Sequence, residues 1–120
     1  MLIDAGEKEY GPGISNYLHN QGVQKLDLLI ATHPHADHIG GMAQIVREFE
    51  IGLIYMPYVS NNTAIFQDLL LAIQQKKEDI YFAKAGVKIN LDQALDIVFV
   101  APGGDAYGDI NEVDPIVWTV

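Results

Sequence analysis

There is no cysteine in these 120 residues, which excludes disulfides and every zinc site built on thiolates. Positive charge is scarce: 7 Lys plus Arg stand against 16 Asp plus Glu, for a net charge of −9. That balance argues against a surface that grips nucleic acid through its phosphates. It is compatible with an acidic cleft around metal ions, whose own charge inverts the local field. The apolar runs fall far short of the roughly 20 residues needed to cross a membrane as a helix. No repeat or low-complexity tract stands out, and the opening Met-Leu-Ile-Asp lacks the basic start and apolar core of a secretory signal. With 49% hydrophobic residues, the composition suits one globular domain at most, with a core of its own.

What is present is an alternation of short apolar runs and helical spacings. Leu2-Ile3 reads as the end of a strand that Asp4-Ala5-Gly6 leaves. Residues 7–13 read as a loop. Ile14, Tyr17 and Leu18 stand at helical spacing, with Gly22 as the stop. Residues 26–31 (L-D-L-L-I-A) suit a buried strand. Met42, Ile45, Val46 and Phe49 stand at i, i+3, i+4 and i+7, the stripe of an amphipathic helix. Residues 52–55 give the next strand. Phe66, Leu69, Leu70 and Ile73 repeat the helical stripe, with Asn62 or Thr63 as N-cap and Lys76-Lys77 suited to the C-terminus. Residues 80–83 are a further strand. Residues 87–89 and 95–101 then read as a hairpin around a polar turn at 90–93, residues 102–114 as a Gly- and Asp-rich loop, and residues 116–120 as the start of another strand. Strand-helix repetition predicts parallel strands joined by crossovers, with the hairpin making the sheet mixed.

The histidines are not spread over this pattern. Three of the four, His33, His35 and His38, fall within six residues of the stretch T-H-P-H-A-D-H-I-G-G (32–41), with Asp37 among them. Pro34 forbids a regular helix there and biases His33 toward extended backbone. In extended backbone His33, His35 and Asp37 would project on one side. A turn into the helix from about Ile39 would swing His38 back toward them. The cluster follows strand 26–31 directly, where open α/β sheets place their ligands. Imidazole and carboxylate without thiolate suit zinc, and also manganese or iron. Two ions could divide the groups, His33 and His35 on one, Asp37 and His38 on the other. Metals in such pairs are roughly 3.5–4 Å apart and lower the pKa of water toward about 7. Asp37 would both ligate and orient the nucleophile, which makes it the candidate catalytic residue.

H-P-H-A-D-H resembles the H-x-H-x-D-H signature of the metallo-β-lactamase superfamily of hydrolases. L-I-D-A-G at 2–6, the stretch 26–42 and I-V-F-V-A-P at 97–102 resemble one branch of it, the hydrolase domain of the competence protein ComEC and its free-standing relatives. The resemblance implies an α/β fold, a mixed β-sheet with flanking helices forming roughly the N-terminal half of a four-layer αβ/βα sandwich. It implies two divalent metal ions, most readily zinc, with His33 and His35 on the first and Asp37 and His38 on the second. Asp4 would support the metal loop from behind. It also implies phosphodiester substrates, a small molecule or nucleic acid, and a place at the extracytoplasmic face of the bacterial membrane or secretion. A cytoplasmic place stays compatible.

The sequence also departs from that family. No histidine follows His38, and no T-G-D stretch occurs. Asp105, Asp109 and Asp114 lie in a Gly-rich loop, the wrong context for the bridging aspartate. The family's whole domain is about twice as long. Residues 1–120 are therefore expected to be a partial domain, short at both ends, with weak or absent activity alone and with an exposed sheet that could pair with a second copy. Lactonase, thioesterase and β-lactamase chemistries share the same signature. A non-catalytic metal-binding or scaffolding module is the reading of another class. Among the remaining residues, His19 is expected on an exposed helix end, and Met42, Phe49 and Phe66 in the core. Tyr55, Tyr58 and Tyr107 are expected to line substrate or simply to pack.

Overall fold

Four parallel strands laid side by side in chain order carry the histidine loop at one end. The computed structural model describes residues 1–59, 61–92, 95–101 and 118–119. The strands are β1 (Leu2–Ile3), β2 (Lys25–Ile30), β3 (Glu50–Met56) and β4 (Ile80–Phe82). Their order in the sheet is β1-β2-β3-β4, all parallel. Between them run α1 (Gly11–Asn20), α2 (Ala36–Ile39), α3 (Met42–Glu48) and α4 (Ala64–Gln75). The chain is thus an α/β protein with a parallel four-stranded sheet and flanking helices, as expected from the strand-helix alternation.

The continuous apolar run of β2 is explained by what covers it. Leu29 and Ala31 pack with Met42, Ile45, Val46 and Phe49 of the α3 region and with Phe66, Leu69 and Ile73 of α4. Leu28 and Ile30 point the other way, into a second core with Ala83, Ile89, Ile97 and Phe99. Both faces of β2 are therefore dry from Leu28 onward, where Leu28 and Ile30 are fully buried, while Lys25 and Asp27 in its first half stay exposed. A strand covered on both sides reads as an unbroken hydrophobic run instead of an alternating one.

That second core corrects one detail of the sequence reading. The hairpin does not extend the parallel sheet. β5 (Lys88–Asp92), β6 (Leu95–Phe99) and β7 (Trp118–Thr119) form a separate antiparallel sheet in the order β5-β6-β7. Strands of both kinds are present, but in two sheets. Ile89, Ile97 and Phe99 give this second sheet an apolar face that is better buried against Leu28 and Ile30 than at an edge. β5 also runs on through residues expected to turn, with an irregular register between Asn90 and Asp92. Of the strand expected at 116–120, the described residues 118–119 pair with β6, Phe99 opposite Trp118 in register. The 102–114 loop, with Asp105, Tyr107, Asp109 and Asp114, lies outside the described residues.

Local chemistry explains the element ends. Residues 7–13 are not a loop: Lys8–Tyr10 form a 3₁₀ turn and α1 follows at Gly11. Pro12 sits in its first turn, where the fixed φ fits and the missing N–H is not needed. α1 stops as expected at Gly22, whose φ of +76° lets Val23 N–H return to Leu18 O at 3.0 Å. Thr63 caps α4, its hydroxyl accepting from Phe66 N–H at 3.2 Å. Arg47 of α3 clamps Asp68 of α4 with two bonds of 3.2 and 2.7 Å. Among the described residues no helix is long and apolar enough to cross a membrane.

Candidate metal centre

The loop that leaves β2 is held from both sides before any ion is considered. β1 ends in Asp4, whose φ of +57° is left-handed, a conformation aspartate tolerates better than most residues. Its backbone N–H donates to Ile30 O at 2.9 Å, and Ala5 N–H donates to His38 O at 2.7 Å. Gly41 N–H reaches Gly6 O at 3.3 Å, and Gly6 bridges Ile39. The double glycine is a packing requirement. A Cβ on Gly40 would lie 2.4 Å from Lys8 N, and one on Gly41 would lie 2.7 Å from Ala5 O. Only bare backbone fits where the 5–8 segment crosses the loop.

Pro34 keeps the start of the loop irregular, as expected, and His35 is extended with φ −89° and ψ 152°. Thereafter the structure differs from the reading. The chain turns helical at Ala36, not at about Ile39. Proline restricts itself and the residue before it but not those that follow, and the N–H groups of His38 and Ile39 both close on His35 O at 3.0 Å. Asp37 is thus delivered by a helical turn and not by strand alternation.

The three imidazoles are gathered. The ring centroids of His33 and His38 are 4.4 Å apart, and those of His33 and His35 are 6.1 Å apart. Asp37 reaches the edge of the group, with Oδ2 3.6 Å from His38 Nε2, and is 65% exposed. Asp4 lies behind the loop. Its carboxylate accepts from Thr32 N–H at 2.8 Å, from the Thr32 hydroxyl at 2.5 Å and from His38 Nδ1 at 2.9 Å. Burial lowers the pKa of His33 and the neighbouring His38 lowers it further, with Asp4 opposing. His33 is therefore favoured as the neutral imidazole, the form that ligates metals.

Among the described residues no group of three His, Asp or Glu side chains is set to hold one ion. The donor chemistry nonetheless fits a divalent cation. His38 is bonded through Nδ1 to a carboxylate, which turns Nε2 outward, the arrangement typical of metal-bound histidine. A neutral His33 and the carboxylate of Asp37 complete a hard-to-borderline donor set.

The sequence reading missed Thr32. It is a buried polar residue, 8% exposed, and it touches Asp4, His33 and His38. Its only sequence signal is its place between strand and histidine. Elsewhere, His19 is 53% exposed on α1 as expected, and stacks on Phe49 at 4.5 Å. Met42, Phe49 and Phe66 are core residues. Tyr55 packs between Tyr81 and Phe99, with centroids 5.5 and 5.1 Å away. Burial, aided by Tyr81, raises the pKa of its phenol. Tyr58 is exposed and meets Phe82 edge-on at 4.8 Å.

Compared with known protein families, residues 1–64 match the one described as the metallo-beta-lactamase superfamily. The match covers β1 to the start of α4 and includes the whole histidine loop. No curated protein matches the chain.

Proposed function

Because the chain belongs to the metallo-β-lactamase superfamily, we propose that it forms the histidine-bearing wall of a metal-dependent hydrolase acting on phosphodiesters. Membership supports metal-dependent hydrolysis in general. The observation that carries the reading is the gathering of three imidazoles at the carboxyl end of β2, one of them held through Nδ1 by Asp4. His33 and His35 would hold one divalent ion, and Asp37 and His38 a second. Zinc suits these donors best, and manganese or iron also suit them. An ion there supplies a nucleophile near neutral pH by acidifying water.

The chain's own residues have separate tasks. Asp4 fixes the ring plane of His38 and, through Thr32, the start of the loop. His33, favoured in its neutral form, offers a lone pair without first losing a proton. Asp37, open to solvent, would orient the attacking water. The phosphodiester class and a role in DNA uptake at the cell envelope rest on the likeness of residues 2–6, 26–42 and 97–102 to the competence-type branch. A net charge of −9 gives nucleic acid little to bind on this chain, so phosphate would be held by the ions.

The test is metal analysis and turnover of the complete gene product, assayed in parallel on bis(p-nitrophenyl) phosphate, a lactone, a thioester and a β-lactam. The expected result is two divalent ions per chain and phosphodiester turnover that falls to background in His35→Ala and Asp37→Ala. Turnover confined to another substrate would sink the phosphodiester class. A well-folded protein that binds no metal would sink the hydrolase and favour a scaffolding module.

A further inference from the structure

We propose that Thr32 is a positioning residue whose hydroxyl sets the tautomer of His33, so that this ring presents Nε2 as its free lone pair. The argument is a count of hydrogens. Thr32 Oγ1 lies 2.5 Å from Asp4 Oδ2, 3.0 Å from His33 Nδ1 and 3.3 Å from His38 Nδ1. A hydroxyl has one hydrogen to donate and two lone pairs, whereas a carboxylate only accepts. The shortest of the three contacts is the one to Asp4, in the range of a hydroxyl donating to a charged oxygen. The single hydrogen is therefore committed to Asp4.

Two consequences follow. Thr32 Oγ1 can meet His33 Nδ1 only as an acceptor, so Nδ1 carries the hydrogen. A neutral imidazole has one N–H, which leaves Nε2 bare. His38 obeys the same rule by a shorter route, because its Nδ1 is 2.9 Å from an Asp4 oxygen that can only accept. Both rings, 4.4 Å apart, then offer the same nitrogen. One carboxylate, on Asp4 28 residues before Thr32, sets His38 directly and His33 through Thr32. Thr32 is 8% exposed, so water competes little for its hydroxyl. The tautomer assignment stands without any ion; its use in holding one rests on the metallohydrolase reading.

Long-range ¹H–¹⁵N correlation spectra of the metal-free 120-residue chain, at about pH 8.5 where imidazoles are neutral, read the tautomers directly. The expected spectrum has His33 as the Nδ1–H form. Thr32→Val should shift His33 toward Nε2–H while His38 stays Nδ1–H, and Thr32→Ser should restore the parent pattern. Calorimetry of the complete gene product with zinc alone should show affinity reduced about tenfold or more in Thr32→Val and near the parent's in Thr32→Ser. An Nε2–H tautomer at His33 in the unaltered chain overturns the proposal, and that measurement requires no variant to fold. An unchanged His33 tautomer or undiminished zinc affinity in a folded Thr32→Val overturns it too. If the unaltered chain has the Nδ1–H form but the complete gene product binds no zinc, the tautomer assignment stands and the metallohydrolase reading falls.

Discussion

Asp4→Asn tests how the loop is held without disturbing the backbone. Asparagine tolerates the left-handed φ of +57° at this position about as well as aspartate, so the change lies in the acceptor set. The carboxylate takes three donors: Thr32 N–H, the Thr32 hydroxyl and His38 Nδ1. If the amide oxygen stays on Thr32 N–H, the amide nitrogen faces the other two. The Thr32 hydroxyl can rotate and accept from it. His38 Nδ1–H meets a second donor and loses its charge-assisted bond, which a neutral ring replaces with a weaker one only by moving its hydrogen to Nε2.

The net loss is one bond to a charged group, worth about 1.5–3 kcal/mol, plus the charge assistance of another. His38 and Asp4 keep 32% and 21% of their side chains exposed, and water offsets part of the loss. About 2 kcal/mol remains. With a urea slope near 1.5 kcal/mol/M for a chain of this size, the midpoint should fall by about 1.3 M. Urea melts of the metal-free chain at about pH 8, followed by far-UV circular dichroism, measure it. Asp4→Ala should lose about 1 kcal/mol more, because alanine also incurs the left-handed cost. If both variants melt within about 0.3 M of the parent, Asp4 does not hold the loop and the reasoning fails.

Gly40→Ala would set a Cβ 2.4 Å from Lys8 N and should cost about 3 kcal/mol or more by overpacking against backbone. In Gly13→Ala the new Cβ meets nothing within 4 Å, and it should stabilise α1 by about 0.5–1 kcal/mol; equal melting of the two variants would contradict the crossing of the 5–8 segment over the loop. Ile30→Ala should cost about 2–5 kcal/mol, since Ile30 is fully buried between the sheets; a loss under about 1 kcal/mol would mean that the antiparallel sheet does not seal that face. Glu48 accepts bonds from Ser15 and Gln44, which hold its carboxyl below the ordinary 4.5. Its folded pKa being depressed, the stabilisation is present above pH 4.5 and lost as pH falls through the folded value. Glu48→Gln should therefore flatten the acid limb of a stability-against-pH curve, and an unchanged limb would show that this link between α1 and α3 contributes nothing.

Much of this protein was written locally. The run L-D-L-L-I-A announced a buried strand, and its last part, L-L-I-A, is unbroken because both faces are dry there. The stripes Met42-Ile45-Val46-Phe49 and Phe66-Leu69-Ile73 announced the two helices that cover one face, and Thr63 and Gly22 marked ends that depend on their own φ and hydroxyl chemistry. The histidine spacing around Pro34 marked the candidate centre, since proline and a strand end act on their immediate neighbours.

Other features depended on residues far apart in the chain. The hairpin at 88–99 could have joined the parallel sheet or packed over it. Burial of Ile97 and Phe99 against Leu28 and Ile30, some seventy positions earlier, decided for packing. The double glycine gives no sign in the sequence of why it must be bare until the 5–8 segment is seen crossing it at backbone contact. Thr32 looks like an ordinary residue until Asp4 takes its hydrogen. Sequence alone determined which side chains stand near one another along the chain and which periods they obey. The tertiary structure decided which faces meet and which polar groups bond, because hydrogen bonding and burial depend on distance in space and not on spacing in sequence.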